Sequence, residues 1–164
     1  MTQGIGWRWP TSAAAALAVA AGAVLAGSTE SPPEPPTSAP VELVAERTVT
    51  VTDVTDGDTF DTSDGQTVRV LGLDACESST ERGPEATADA RRLLAGQTVT
   101  LVEEPGIDLD PFGRQLRYAQ LPSGADYGLS VIGAAHTGVY QGENDADPAY
   151  LAQLRAADDG RDCG

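Results

Sequence analysis

Four short segments carry residue types able to do chemistry: Asp56-Gly57-Asp58-Thr59, Val68-Arg69-Val70-Leu71, Leu73-Asp74-Ala75-Cys76-Glu77 and Asp110-Pro111-Phe112-Gly113-Arg114. Carboxylates hold hard divalent cations or take up protons. Guanidiniums hold anions through two parallel N–H donors and keep their charge at any ordinary pH. Taken singly, each segment also has an ordinary use. Asp-Gly-Asp is commonly a turn, an Arg on a strand is commonly exposed, and Asp-x-x-Glu commonly caps a helix.

The elements that must position these residues are read from hydrophobic period and turn chemistry. Residues 41–54 (VELVAERTVTVTDV) alternate apolar and polar side chains, as a half-buried strand does. Residues 59–62 and 66–73 (QTVRVLGL) continue the alternation around Ser63-Asp64-Gly65, a hairpin turn. Residues 84–95 (PEATADARRLLA) form a helix with Pro84 in its first turn and Gly96 after its end. Residues 97–103 and 115–121 are strands, 127–135 a short helix weakened by its glycines, and 148–158 a last helix capped by Asp147. Five strands with this spacing imply an α+β fold, a small closed barrel flanked by about three helices. Asp64-Gly65 is accounted for by the hairpin between residues 59–62 and 66–73, whereas turn chemistry alone gives the earlier Asp56-Gly57 pair no use.

The 164-residue chain holds 25 acidic and 10 basic side chains, one His and two Cys. All ten basic residues are Arg, and the net charge is −15. Residues 13–26 (AAAALAVAAGAVLA) are an apolar run of 14 positions, short of the ~20 that a spanning helix needs. Val24 and Ala26 suit the −3 and −1 positions of a signal-peptidase site, so residues 1–26 read as a cleaved export signal. Ser28 stands where a lipoprotein box would need Cys, which argues against a lipid anchor. Residues 27–40, with five prolines, are an extended linker, and one domain of residues 41–164 follows. The location expected is secreted or extracellular, with retention at the cell envelope as the alternative and no stable membrane association after cleavage.

In their order, the four segments, together with Gly83-Pro84-Glu85-Ala86 opening a helix and FGRQLRYAQL after the loop, resemble the thermonuclease family of staphylococcal nuclease-like proteins. The resemblance runs from about Val49 to Asp158. It implies an OB-fold barrel and a Ca²⁺-dependent phosphodiesterase acting on DNA and RNA, preferentially single-stranded, as a monomer. Matched residue by residue, Asp58, Asp74 and the backbone carbonyl of Ala75 would hold Ca²⁺, which implies that Asp56-Gly57 bends the strand so that Asp58 points into the barrel mouth towards Asp74. Arg69 and Arg114 would hold the scissile phosphate, and Glu77 would activate or orient the attacking water. Tyr140 matches an aromatic residue near the substrate base, with a partly buried structural tyrosine as its alternative. Arg117 is a further candidate for substrate phosphates, with cross-strand pairing as its alternative. The roles agree with the chemistry. A phosphodiester gains negative charge on its way to a five-coordinate phosphorus, so cations held in place beforehand favour the transition state.

Three departures from the family pattern matter. The acidic surface predicts weak, salt-sensitive nucleic-acid binding, because such binding rests on phosphate neutralisation. Cys76 stands where the family has Pro, and Cys163 is the only other cysteine. In an exported chain two cysteines pair more readily than they stay free, so a Cys76–Cys163 disulfide is expected. The loop from Glu77 to Pro84 is short, which leaves substrate positioning on that side open. Asp108 and Asp110 read as a solvated loop with Asp110 bracing Arg114. His136 reads as structural, and residues 143–147 as a helix-capping acidic loop. Two rivals to a nuclease stand: a non-catalytic OB-fold binder of single-stranded nucleic acid, and a secreted calcium-binding or adhesion module. The first has no need of Glu77, and the second leaves the arginine pair unused.

Overall fold

The computed structural model describes residues 45–164. The expected signal segment 1–26 and linker 27–40 lie outside the described residues. Five strands close into a barrel: β1 (Glu46–Val54), β2 (Thr59–Thr62), β3 (Thr67–Val70), β5 (Thr98–Glu103) and β6 (Gln115–Gln120). The order around the barrel is β1-β2-β3-β6-β5, antiparallel throughout except for the parallel β3–β6 pair. With three helices added, this is an α+β arrangement consistent with an OB-like barrel. Closure leaves no unpaired strand edge in the barrel.

β1 serves two neighbours. Residues 46–50 pair with β5, residues 51–54 pair with β2, and the register shifts between Val51 and Asp53. Such an irregularity bends a strand and increases its twist, which lets one strand cross the barrel corner. Val51, Val54, Phe60, Val68, Val70, Val99, Leu101 and Ala119 are buried at the barrel strands. Each large member contributes about 1.5–3 kcal/mol relative to exposure.

The helix read over 84–95 is α1 (Gly83–Leu94), which buries Ala86, Ala90 and Leu94. The short helix is α2 (Tyr127–Val131), shorter than the sequence expectation, and the last is α3 (Pro148–Ala157). Asp147 caps α3 by accepting from the Ala149 and Tyr150 amides at 2.9 Å. No helix of the described residues is long and apolar enough to cross a membrane.

One expected strand is in fact two. Residues 66–73 divide at Gly72, whose φ of +82° is left-handed, and a separate β4 (Leu73–Ala75) leaves the barrel. There it pairs antiparallel with β7 (Thr137–Val139), a strand absent from the sequence expectation. This outlying pair carries Asp74 and Ala75. The expected disulfide is present: Cys76, directly after β4, is bonded to Cys163.

Candidate functional site

The chain reaches the site through two turns. β1 ends at Val54, and the Asp56-Gly57 turn delivers Asp58 to the start of β2, with the Asp56 carboxylate accepting from the Asp58 amide at 3.0 Å. Asp56-Gly57 therefore turns a hairpin, as Asp64-Gly65 does between β2 and β3. The distinction lies in packing. A side chain at Gly57 would place its Cβ 2.5 Å from that of Ala75, so glycine lets the first turn close against β4. Burial, and then the Asp58 charge, push the Asp56 carboxyl above its ordinary value.

Asp58 is 6% exposed and engaged on both oxygens. One accepts from the Ala75 amide at 2.9 Å, the other from the Thr59 hydroxyl at 2.9 Å. The Ala75 contact ties the residue before β2 to β4, the strand that carries Asp74.

Arg69 stands between Asp58 and the neighbouring cleft. It is paired with Thr59 across β2 and β3. Its guanidinium lies 3.1 Å from Asp58 and 3.9 Å from Asp74, and it donates to the Leu73 carbonyl at 3.3 Å. The Tyr140 ring centre is 5.3 Å away, in cation–π range. Arg69 also lines a cleft of about 340 Å³ whose walls include Leu73, Phe112, Arg114 and Tyr140.

Arg114 enters the same cleft from the loop before β6. Asp110 braces it through a 2.6 Å contact to Nε while accepting from the Arg114 and Phe112 amides at 2.9 Å. Burial alone would raise the Asp110 carboxyl, but these hydrogen bonds and the Arg114 charge hold it below its ordinary value. Arg114 also lies 3.5 Å from the Thr59 hydroxyl, so Thr59 links it to Asp58. The Phe112 ring sits 5.4 Å from the guanidinium and is 84% exposed at the cleft.

Glu77 is exposed in the loop after β4, and its carboxylate has no hydrogen-bond or ion-pair partner among the described residues. Its backbone, in contrast, is fixed. The carbonyl accepts from the Thr80 amide and hydroxyl at 2.8 Å. A Cβ on Gly83 would lie 1.8 Å from that carbonyl oxygen, so the glycine opening α1 is a steric requirement of the Glu77 loop.

Arg117 is not brought to the cleft. It is 3% exposed, shares the buried positions of β6 with Ala119, and is held by Glu103 at 3.2 Å and Asp108 at 2.5 Å. Glu103 is its cross-strand register partner. The alternation of β6 fixes this result, because Leu116 lines the cleft and Arg117 turns the other way. Asp108 thus braces Arg117, while Asp110 braces Arg114. His136 is buried, 2.9 Å from the Thr137 hydroxyl and 3.2 Å from Asp89, away from the cleft-lining residues.

Two participants carry no sequence signal for the place they take. Thr59 carried only a turn-flanking signal. Arg161, in the tail after α3, lies 2.6 Å from the Asp74 carboxylate and donates to the Asp74 and Ala75 carbonyls at 3.2 and 3.4 Å. Among the described residues, no group of three His, Cys, Asp or Glu side chains is placed to hold a metal ion. The oxygens that could hold one are the Asp58 and Asp74 carboxylates and the Ala75 main-chain carbonyl. They already attract positive charge, Asp58 from Arg69 and Asp74 and Ala75 from Arg161. A hard, oxygen-seeking cation suits such donors.

No protein-family model matches the chain. An uncharacterized protein of Bacillus anthracis is 39% identical over 74 residues, covering 40% of this chain and 35% of the relative. The chain thus spans about a third of the length of that curated relative.

Proposed function

We propose that the chain is an exported Ca²⁺-dependent nuclease of the thermonuclease type, hydrolysing the 5′ phosphoester bond of DNA and RNA and leaving 3′-phosphate ends. The observation that carries this reading is the position of Arg69. One guanidinium lines the cleft together with Arg114 and Tyr140 and also lies 3.1 Å from the Asp58 carboxylate and 3.9 Å from that of Asp74.

The two arginines would take the scissile phosphate. Each is braced by its own carboxylate, Arg69 by Asp58 and Arg114 by Asp110, so neither must be ordered when substrate arrives. Charge that develops on the phosphate oxygens then meets cations already in place, which lowers the barrier. Asp58, Asp74 and the Ala75 carbonyl would hold Ca²⁺, which supplies Lewis-acid polarisation of a phosphate oxygen. Glu77, exposed and unpaired among the described residues, orients the attacking water and accepts its proton. Tyr140, half-open to solvent against Arg69, offers a ring face to a base, and stacking of this kind tolerates any sequence.

The end chemistry of the products tests this. A single-stranded oligonucleotide digested with Ca²⁺ is expected to yield fragments with 3′-phosphate and 5′-hydroxyl ends, seen by mass spectrometry. An intact oligonucleotide that shifts in a gel marks a binder without catalysis and contradicts the proposal.

A further inference from the structure

Arg161 has no place in the nuclease reading, yet it makes the most concentrated set of polar contacts in the tail. A single terminal nitrogen lies 2.6 Å from the Asp74 carboxylate, 3.2 Å from the Asp74 carbonyl and 3.4 Å from the Ala75 carbonyl. Two of the three donors assigned to a divalent cation are therefore taken by one guanidinium of the same chain. We propose that Arg161 is an intramolecular competitor for the cation site, kept there by the Cys76–Cys163 disulfide, and that a divalent cation binds by displacing it. The proposal deepens the reading of Asp58, Asp74 and Ala75 as the cation site and rests on it.

The tether explains why this arginine stays. Cys76 directly follows Ala75, and Cys163 stands two residues after Arg161, so the covalent bond closes next to the oxygens concerned. Beside it, the Asp162 amide donates to the Ala135 carbonyl at 2.8 Å, and Asp158 accepts from the Val139 amide at 3.0 Å. Gly138 on β7 leaves room for the tail, since a Cβ there would come within 3.0 Å of the Arg161 Cβ. A group on so short a leash returns at a high effective concentration after each departure. The donors gain more from a doubly charged ion than from one guanidinium, so the exchange proceeds at raised ion concentration. The tail thereby sets the threshold at which it does so.

Calorimetric titration of Ca²⁺ into the wild-type protein, Arg161→Gln and the Cys76→Ser/Cys163→Ser double variant tests this, with Arg155→Gln as a control for net charge. The Arg161→Gln Kd is expected to fall about tenfold, a typical coupling between two ligands of one site. The double variant should move the same way, and Arg155→Gln should stay within about twofold of wild type. The Arg161 Nε–H resonance of ¹⁵N-labelled wild type should shift as Ca²⁺ saturates. Equal Kd values for wild type and Arg161→Gln, or weaker binding by Arg161→Gln, overturn the competition while leaving the cation site standing. Absence of binding by every protein overturns both. Arg161→Gln retains the disulfide and carries the test if the double variant does not fold.

Discussion

Arg69 and Asp58 are 3.1 Å apart, a part-buried guanidinium against a buried carboxylate, and only the arginine of the two also lines the cleft. The pair joins the buried Asp58 carboxylate to the cleft where a phosphate would bind. Arg69→Ala removes both uses. Cleavage should fall about 10²–10³-fold, the cost of losing one fixed donor to developing charge. Stability should fall by about 1–3 kcal/mol as Asp58 loses a charged partner in a buried setting. Urea unfolding and single-turnover cleavage measure the two effects separately.

Glu77 and Gly83 touch one loop but should fail differently. Glu77→Ala removes an exposed side chain with no partner among the described residues, so stability should stay within about 0.5 kcal/mol of wild type. Its cleavage rate should fall by about 10²–10⁴, as expected for loss of a group that moves a proton. Gly83→Ala drives a Cβ into the Glu77 carbonyl, so it should lower both thermal stability and activity. Thermal unfolding beside cleavage assays distinguishes the pattern.

Asp110 gives a pH signature. Its folded carboxyl lies below the ordinary 3.8, so the ionised form is favoured by folding. Its contribution is fully present above the unfolded value and is lost as pH falls through the folded one. Asp110→Asn should therefore be less stable than wild type at neutral pH, and the gap should close below about pH 4. Urea midpoints of the two proteins across pH 2–7 check the sign.

The disulfide should stabilise the fold chiefly by restricting the unfolded chain. Its partners are 87 positions apart, for which the chain-entropy model gives about 4–5 kcal/mol at most. Cys76→Ser/Cys163→Ser should therefore lower the urea midpoint, as equilibrium unfolding would register, with barrel secondary structure retained.

How far the sequence could be read is clearest at particular residues. Alternation and Asp-Gly turns located β1, β2 and the start of β3, because a half-buried sheet imposes period two on its side chains. The break at Gly72 was invisible, since a left-handed corner inside QTVRVLGL leaves the apolar pattern intact. β7 was missed because three residues, one of them glycine, are too few to show a period. Arg69, Glu77 and Arg114 drew attention as an ordered set, and the structure puts Arg69 and Arg114 on one cleft. Arg117 and Arg161 show the limit. Whether an arginine faces a cleft, an interior carboxylate or a distant carbonyl depends on contacts far along the chain. Arg161 and Asp74 are 87 positions apart, with no local pattern to connect them.

Digestion of single-stranded DNA by the purified disulfide-bonded protein, with Ca²⁺ and with a chelator in excess, tests the central claim most directly. Cleavage with Ca²⁺ that stops on chelation, and that Arg114→Ala reduces about 10²–10³-fold, is the predicted result. Cleavage at equal rate with and without Ca²⁺, or no cleavage by well-folded protein at any Ca²⁺ concentration, would contradict it.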